Sequence, residues 1–346
     1  MVRRSHRVRE VAEQSGLSPA TVDRVLNGRP GASARAVRAV ETALLDLDRQ
    51  ATSVRLARRS LLVDVVLDAP GRFRTGVREA TEEAVAGARP ATVRARFHES
   101  EGADPAAIAR TVDGLGTGGR VSHGLVLKAP DDERVAAAAR RAGERGIPVV
   151  TLVTDVSESG RVAYVGLDNA AAGSTAAYLI RHLLAGADGV VLATLSHRSF
   201  LGEQERLTAF RERLEAEDPG REVVVVGDLH GADAATERAV EAALKRGPRV
   251  AAVYSMGGGN AGTSRALAAA GAAAVPFVGH DLDADNLALL RAGALTAVLH
   301  HDLRIDLRAA LTQLLRAHRL VPGAPASVRS APQVVTPWNV PPRLRG

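Results

Sequence analysis

Residues 162–195, VAYVGLDNAAAGSTAAYLIRHLLAGADGVVLATL, decide how this chain folds. VAYVGLD (162–168) and GVVLATL (189–195) are short apolar runs, rich in β-branched residues, with no polar alternation. Strands of that kind are covered on both faces. Between them, residues 170–184 carry apolar positions at helical spacing. A strand, a helix and a second buried strand make a parallel crossover unit, the building block of a doubly wound α/β sheet.

The same alternation extends in both directions. Upstream stand the strands LLVDVVLD (61–68), ATVRARFHE (91–99), GLVLKA (124–129) and IPVVTLVTD (147–155). They are separated by helical segments at 76–88, 105–115 and 131–145. Downstream stand EVVVVGD (222–228), VAAVYS (250–255) and VPFVGHD (275–281), with helices at 203–217, 232–245 and 261–270. Two successive wound sets imply two lobes. In such sheets ligands bind outside the carboxyl ends of the strands.

Residues 6–47, HRVREVAEQSGLSPATVDRVLNGRPGASARAVRAVETALLDL, follow a different pattern. Val8, Val11 and Ala12 share one helical face, and Gly16 stops that helix. Ser18 caps a second helix with Pro19 in its first position. Val22, Val25 and Leu26 point inward, and Asn27-Gly28 closes it. Ser33 caps a third helix with a Val37, Val40, Leu44, Leu47 stripe. This spacing predicts a helix-turn-helix whose second helix enters the DNA major groove. Charge supports the expectation, because residues 1–60 hold twelve Arg against six acids, and the remainder balances at 33 against 33. The whole net charge of +6 thus falls where phosphate neutralisation needs it.

VREVAEQSGLSPATVDRVLNG resembles the DNA-binding headpiece of the LacI/GalR family of transcriptional regulators. That resemblance implies base-facing roles for Pro19, Ala20 and Arg24 and a phosphate contact for Thr21. Ser18 and Asn27 flank them at the two ends of the recognition helix. The sequence departs from the family at Asp23, where Ser is usual. It also departs at 48–59, where the usual Pro-Asn hinge is missing, although Leu56 stands at the position of the minor-groove wedge.

The body resembles the two-lobed type I periplasmic-binding-protein fold of the same family. The likeness rests on Tyr164-Val165-Gly166-Leu167-Asp168-Asn169 with Gly173. It implies ligand contacts from Asp168, Asn169, Arg206, Asn260, Asp281 and His301, and stacking by Phe73. Each has a plainer alternative. Asp168-Asn169 and Asp281 can cap the turns that follow them, Arg206 can be a surface helix residue, and Phe73 can be core.

The fold class expected is thus a small all-α helix-turn-helix headpiece (1–49) and a linker (50–60), then a two-lobed α/β effector domain (61–346). Lobe 1 would take about 61–160 and 298–327, and lobe 2 about 161–297 and 328–345. The function expected is a ligand-responsive repressor, a cytoplasmic homodimer on double-stranded operator DNA with a sugar- or polyol-like effector. The alternative is a sugar-binding protein without a regulatory DNA role.

Other classes are disfavoured. Gly257-Gly258-Gly259 precedes a helix, but no G-K-[ST] follows, so a nucleotide site is not indicated. Cys is absent, and the His280/Asp281/Asp283 and His300/His301/Asp302 clusters lack the spacing that puts two ligands on one helix. No metal, cofactor or catalytic nucleophile is expected. No signal peptide and no membrane-length apolar run is seen.

Overall fold

The computed structural model describes residues 6–57, 60–89 and 91–344, and side chains within these except for 48–57. The chain divides into two compact units, residues 1–60 with 89–92, and residues 61–88 with 93–346.

The first unit contains α1 (Val8–Ser15), α2 (Pro19–Leu26) and α3 (Ala34–Ala57). Ser18 caps α2 by accepting from the Thr21 amide at 3.2 Å. Val11, Ala12, Val22, Val40 and Ala43 form a small buried cluster. The expected helix-turn-helix headpiece is corrected here. Helices α1 and α2 span only eight residues each, too short to be stable alone. Moreover α3 runs on through residues 50–57, where a linker was expected. These short helices make no clear helix-turn-helix headpiece, and the fold class is the two-lobed α/β body that follows.

In chain order the first lobe contains β1 (Ser60–Asp68), α4 (Gly71–Gly87), β2 (Thr92–Ser100), α5 (Pro105–Asp113), β3 (Gly124–Lys128), α6 (Glu133–Glu144), β4 (Val149–Leu152) and β5 (Ala163–Leu167). The second lobe begins with α7 (Asn169–Leu184), β6 (Val190–Thr194), α8 (Leu201–Glu217), β7 (Val223–Val226) and α9 (Asp233–Arg246). It continues with β8 (Val250–Ser255), α10 (Asn260–Ala269), β9 (Phe277–His280), α11 (Ala284–Arg291) and β10 (Ala297–His300). The chain then returns through α12 (Leu303–Ala317), β11 (Val328–Ser330) and β12 (Gln333–Val335).

One sheet has the order β11-β5-β4-β3-β1-β2 and the other β12-β10-β9-β8-β6-β7. The pairs β1–β3, β3–β4, β4–β5 and β5–β11 are parallel. So are β6–β7, β6–β8, β8–β9 and β9–β10, while β12 joins β10 antiparallel. In both sheets the order turns back beside the first strand, and that switch point opens a crevice at the strand carboxyl ends.

The lobe boundaries differ from the expected ones. Strand β5 closes the first sheet, so the first crossing falls after Leu167 and not near 160. Strand β10 belongs to the second sheet, and β11 returns to the first. The lobes are therefore joined by three strands of chain: β5 to α7, β10 to α12, and β11 to β12.

Candidate ligand cleft between the lobes

A cavity of about 170 Å³ lies between the two lobes. Its wall comes from the carboxyl ends of β1, β3, β4, β6, β8, β9 and β10, with the first turns of α4 and α8. At these ends the chain leaves the apolar sheet, so polar side chains can face the gap without disturbing the core.

Arg206 is buried on the inner face of α8. Its Nε donates to Asn169 Oδ1 at 2.8 Å, and one terminal nitrogen donates to the Met256 carbonyl at 2.7 Å. These two bonds aim the guanidinium at the cavity. Glu203, one turn earlier, is also buried. Its carboxylate accepts from the Ser196 amide at 2.7 Å and from the Ser196 hydroxyl. Burial pushes its pKa up against those bonds.

Asp281 sits just past β9 in a left-handed conformation, φ 62°. Asn286 holds this turn by donating to the Asp281 carbonyl at 2.6 Å and the His280 carbonyl at 2.8 Å. Asn260 in turn donates to Asn286 Oδ1 at 2.8 Å. Opposite Asp281 stands His301, 3.4 Å away through Nε2, with Nδ1 on Asp306 Oδ2 at 2.5 Å. Burial works against a charged His301, but the two carboxylates dominate and lift its pKa to about 9. Burial likewise pushes Asp281 up, yet His301, Arg206 and His280 hold it well below the usual carboxylate range. His280 and His300 are the reverse case. Burial keeps both neutral, His300 at about 4, and one ring nitrogen of each is buried without a partner.

A further cation of the cavity is Lys128, at the end of β3. Its ammonium donates to the Asp68 carbonyl at 3.1 Å and lies 3.9 Å from the Phe200 ring centre and 5.4 Å from that of Phe73. Across the cleft, Arg72 of α4 pairs with Asp283 of the second lobe at 3.0 Å. The Asp131 amide also donates to the Ser199 carbonyl at 2.7 Å. The two lobes are thus latched around the cavity.

Of the residues singled out from the sequence, Phe73, Arg206, Asp281 and His301 line this cavity. Asp168, Asn169 and Asn260 do not. Asp168 caps α7 through the Ala171 amide at 2.9 Å. Asn169 and Asn260 stand behind the wall and orient Arg206 and Asn286. Lys128, Glu203, Asp283 and Arg72 line the cavity without having been singled out as ligand contacts. In the N-terminal unit Ser18, Pro19, Ala20, Arg24 and Asn27 are exposed on α2, and Thr21 is half-buried. Asp23 pairs with Arg29 at 3.1 Å. The Leu56 side chain lies outside the described residues.

Residues 65–318 match the family described as periplasmic binding protein domain. No curated protein matches the chain. Among solved structures, GanP, a glucose-galactose binding protein from Geobacillus stearothermophilus, superposes with a TM-score of 0.73 at 18% identity, covering 82% of this chain and 100% of GanP. An ABC transporter solute binding protein from Burkholderia graminis C4D1M, in complex with D-arabinose, gives 0.73 at 21% identity, covering 82% and 97%. A protein assigned as a LacI transcriptional regulator from Bacteroides fragilis gives 0.68 at 14% identity, covering 81% and 98%. At these identities the likeness is one of fold. The family match begins at residue 65, beyond the N-terminal helices, which is the second ground for removing the headpiece from the fold class.

Proposed function

The chain belongs to the periplasmic binding protein domain family, whose members bind and do not catalyse, and from that premise we propose that it holds a sugar or polyol between its lobes. The observation that carries this reading is the convergence of Arg206, Asp281 and His301 on one small cavity beside Phe73. A cation, a carboxylate and an imidazolium offer both donors and acceptors, as vicinal hydroxyls require. A volume of about 170 Å³ suits one small ring, and is well below the ~300–1,000 Å³ of drug-sized pockets. The glucose-galactose and D-arabinose binders of the same fold support it.

The test is a thermal-shift screen of the full chain against hexoses, pentoses and myo-inositol. A ligand at about 100 times its Kd stabilises by ~2.7 kcal/mol. Asp281→Ala should abolish the shift. A hit that shifts wild type and the variant alike places the ligand elsewhere.

A second reading is favoured by the concentration of twelve Arg against six acids in residues 1–60. In it, the chain is a ligand-responsive repressor, a homodimer that binds operator DNA through exposed Pro19, Ala20 and Arg24 of α2. Such binding should weaken steeply with salt. Fluorescence anisotropy on a selected duplex pool tests it. Absence of binding at low salt, or a flat salt profile, leaves the sugar-binding function standing alone.

A further inference from the structure

We propose that Asp306 is a positioning residue for ligand binding: it fixes the ring of His301 so that Nε2 and the Asp281 carboxylate together grip one hydroxyl of the sugar or polyol. The inference rests on the sugar-binding reading and deepens it. His301 and Asp281 line the cavity, whereas Asp306 does not and acts through His301.

Asp306 lies in the first turn of α12, 1% exposed, on the face that also buries Leu307, Ala310, Leu311 and Leu314. A carboxylate on such a face is costly unless it is paired. The helix end does not need it as a cap, because Asp302 accepts from the Arg304 amide at 3.1 Å. Its partner is His301, whose Nδ1 meets Asp306 Oδ2 at 2.5 Å. His301 is 2% exposed and lies where the chain passes from β10 to α12. With Nδ1 anchored on α12, the ring turns Nε2 away from that helix, toward Asp281 in the turn after β9.

On that side the hydrogen bond is not closed. Nε2 stands 3.4 Å from Asp281 Oδ1, beyond the ~2.7–3.2 Å of an N–H···O bond, and is buried without a hydrogen-bond partner among the described residues. A hydroxyl satisfies both groups at once: its oxygen accepts from Nε2 and its proton goes to the carboxylate. An ether or carbonyl oxygen accepts from Nε2 but offers Asp281 nothing, so the pair reads a hydroxyl. The grip needs protons on both ring nitrogens. A neutral ring keeps one proton, and on either nitrogen it leaves one of the two carboxylates without a donor. Burial opposes the charged ring, but Asp281 and Asp306 outweigh it and lift its pKa to about 9. The other groups facing this cluster do not compete for the proton. Burial keeps His280 and His300 neutral, and Arg206 acts on Asp281, favouring its charge.

Calorimetry on the full chain decides the matter, with D-galactose, D-glucose, D-arabinose and myo-inositol as probes at pH 6 and pH 8. Wild type should bind the tightest of them with affinities within about twofold at the two pH values, because His301 is charged at both. Asp306→Asn should bind about tenfold more weakly at pH 8 and regain about fivefold at pH 6, as His301 takes up its second proton. Asp306→Glu should restore the flat profile. Thermal melts of both variants show whether they fold. Nitrogen NMR of histidine-labelled wild type needs no variant fold at Asp306, the His301 signals being assigned by their loss in His301→Gln. Both His301 nitrogens should be protonated at pH 7.5, and Nε2 should shift when the sugar is added. A neutral ring or an unmoved Nε2 overturns the inference. So does an Asp306→Asn affinity that equals that of wild type, or that falls equally at both pH values, and either result leaves the sugar reading intact. Silence from all four probes removes both.

Discussion

Replacing Gly173 by alanine tests whether the close approach of α7 and α8 sets the geometry of the cleft. A Cβ at Gly173 would sit 2.2 Å from the Arg206 carbonyl oxygen and 3.0 Å from the Phe210 amide nitrogen. Both are backbone atoms of α8, so no side-chain rotation relieves the overlap. The helix must withdraw by roughly 1 Å to restore an ordinary carbon–oxygen separation. Overpacking of this kind costs about 1–3 kcal/mol. At ~2–4 °C per kcal/mol, Tm should fall by roughly 2–12 °C. The same withdrawal carries Glu203 and Arg206 away from the cavity. Losing one charged hydrogen bond to ligand, ~1.5–3 kcal/mol, should weaken binding by about tenfold or more. Gly143→Ala is the control. Gly143 is exposed near the end of α6, with no atom within 4 Å of its virtual Cβ. There alanine should stabilise by up to ~1 kcal/mol through helix propensity. Differential scanning fluorimetry and calorimetry read both effects. A Gly173→Ala protein that melts within about 1 °C of wild type, on the same scale, would refute the reasoning.

Three other perturbations probe separate parts of the fold. Gly258→Ala would set a Cβ 1.9 Å from an Arg72 terminal nitrogen, and Arg72→Ala removes the partner of Asp283; each should hold the cleft open and weaken ligand by about fivefold, ~1 kcal/mol for a partly exposed pair, and unchanged affinity in both would show that the latch is idle. His301 has a raised pKa, about 9, so its stabilisation is complete below its unfolded value, ~6.5, and is lost as pH rises through 9. Melting of wild type should therefore decline between pH 8 and 10 relative to His301→Gln, and parallel curves would deny the charge. Asp64 is fully buried and accepts from Arg96 Nε at 2.6 Å and from His98 at 2.8 Å, which hold its pKa down against burial. Its contribution is therefore present above the unfolded value and lost as pH falls through the lower folded one. Arg96→Leu should cost ~3 kcal/mol by urea denaturation, and a loss below about 1 kcal/mol would mean that His98 alone suffices.

Much of the architecture could be read from residues 60–281, because fully buried parallel strands give unbroken Val/Leu runs and the helices between them are long. Two features escaped. Helices α11 and α12 and strand β10 were not read as elements; β10 has four residues, too few for a pattern to stand out. Nor does a buried strand declare which sheet it joins. Strand β5 has the same composition as its neighbours in either lobe, and β11 is three residues long with one exposed side chain. Their places are set by pairing partners more than 100 residues apart in β11 and β5, which periodicity cannot register. At the N-terminus the pattern located three helices, but local spacing did not show that α3 continues through residues 50–57.

The site divides along a physical line. Arg206 and Asp281 could be reached by motif and by position after a strand. Asp168, Asn169 and Asn260 shared those signals, yet their side chains serve the protein's own helix ends and hydrogen bonds. Short polar residues at a strand-to-helix turn can do either, and only the direction of the side chain separates the two. Glu203 was overlooked because a glutamate in an amphipathic helix reads as surface. Its spacing with Arg206 and Phe210, three and seven residues on, places all three on one face of α8, and that face is buried. Lys128 left a clearer signal: a charged residue ending the apolar run GLVLK, in a chain that otherwise uses arginine almost throughout. A residue type used against the habit of the whole sequence, at the end of a buried strand, has to be accounted for by something beside it. For Lys128 that something is the Asp68 carbonyl and the Phe200 and Phe73 rings in contact with it, with the carboxylates of Glu203, Asp68 and Asp281 favouring its charge through space.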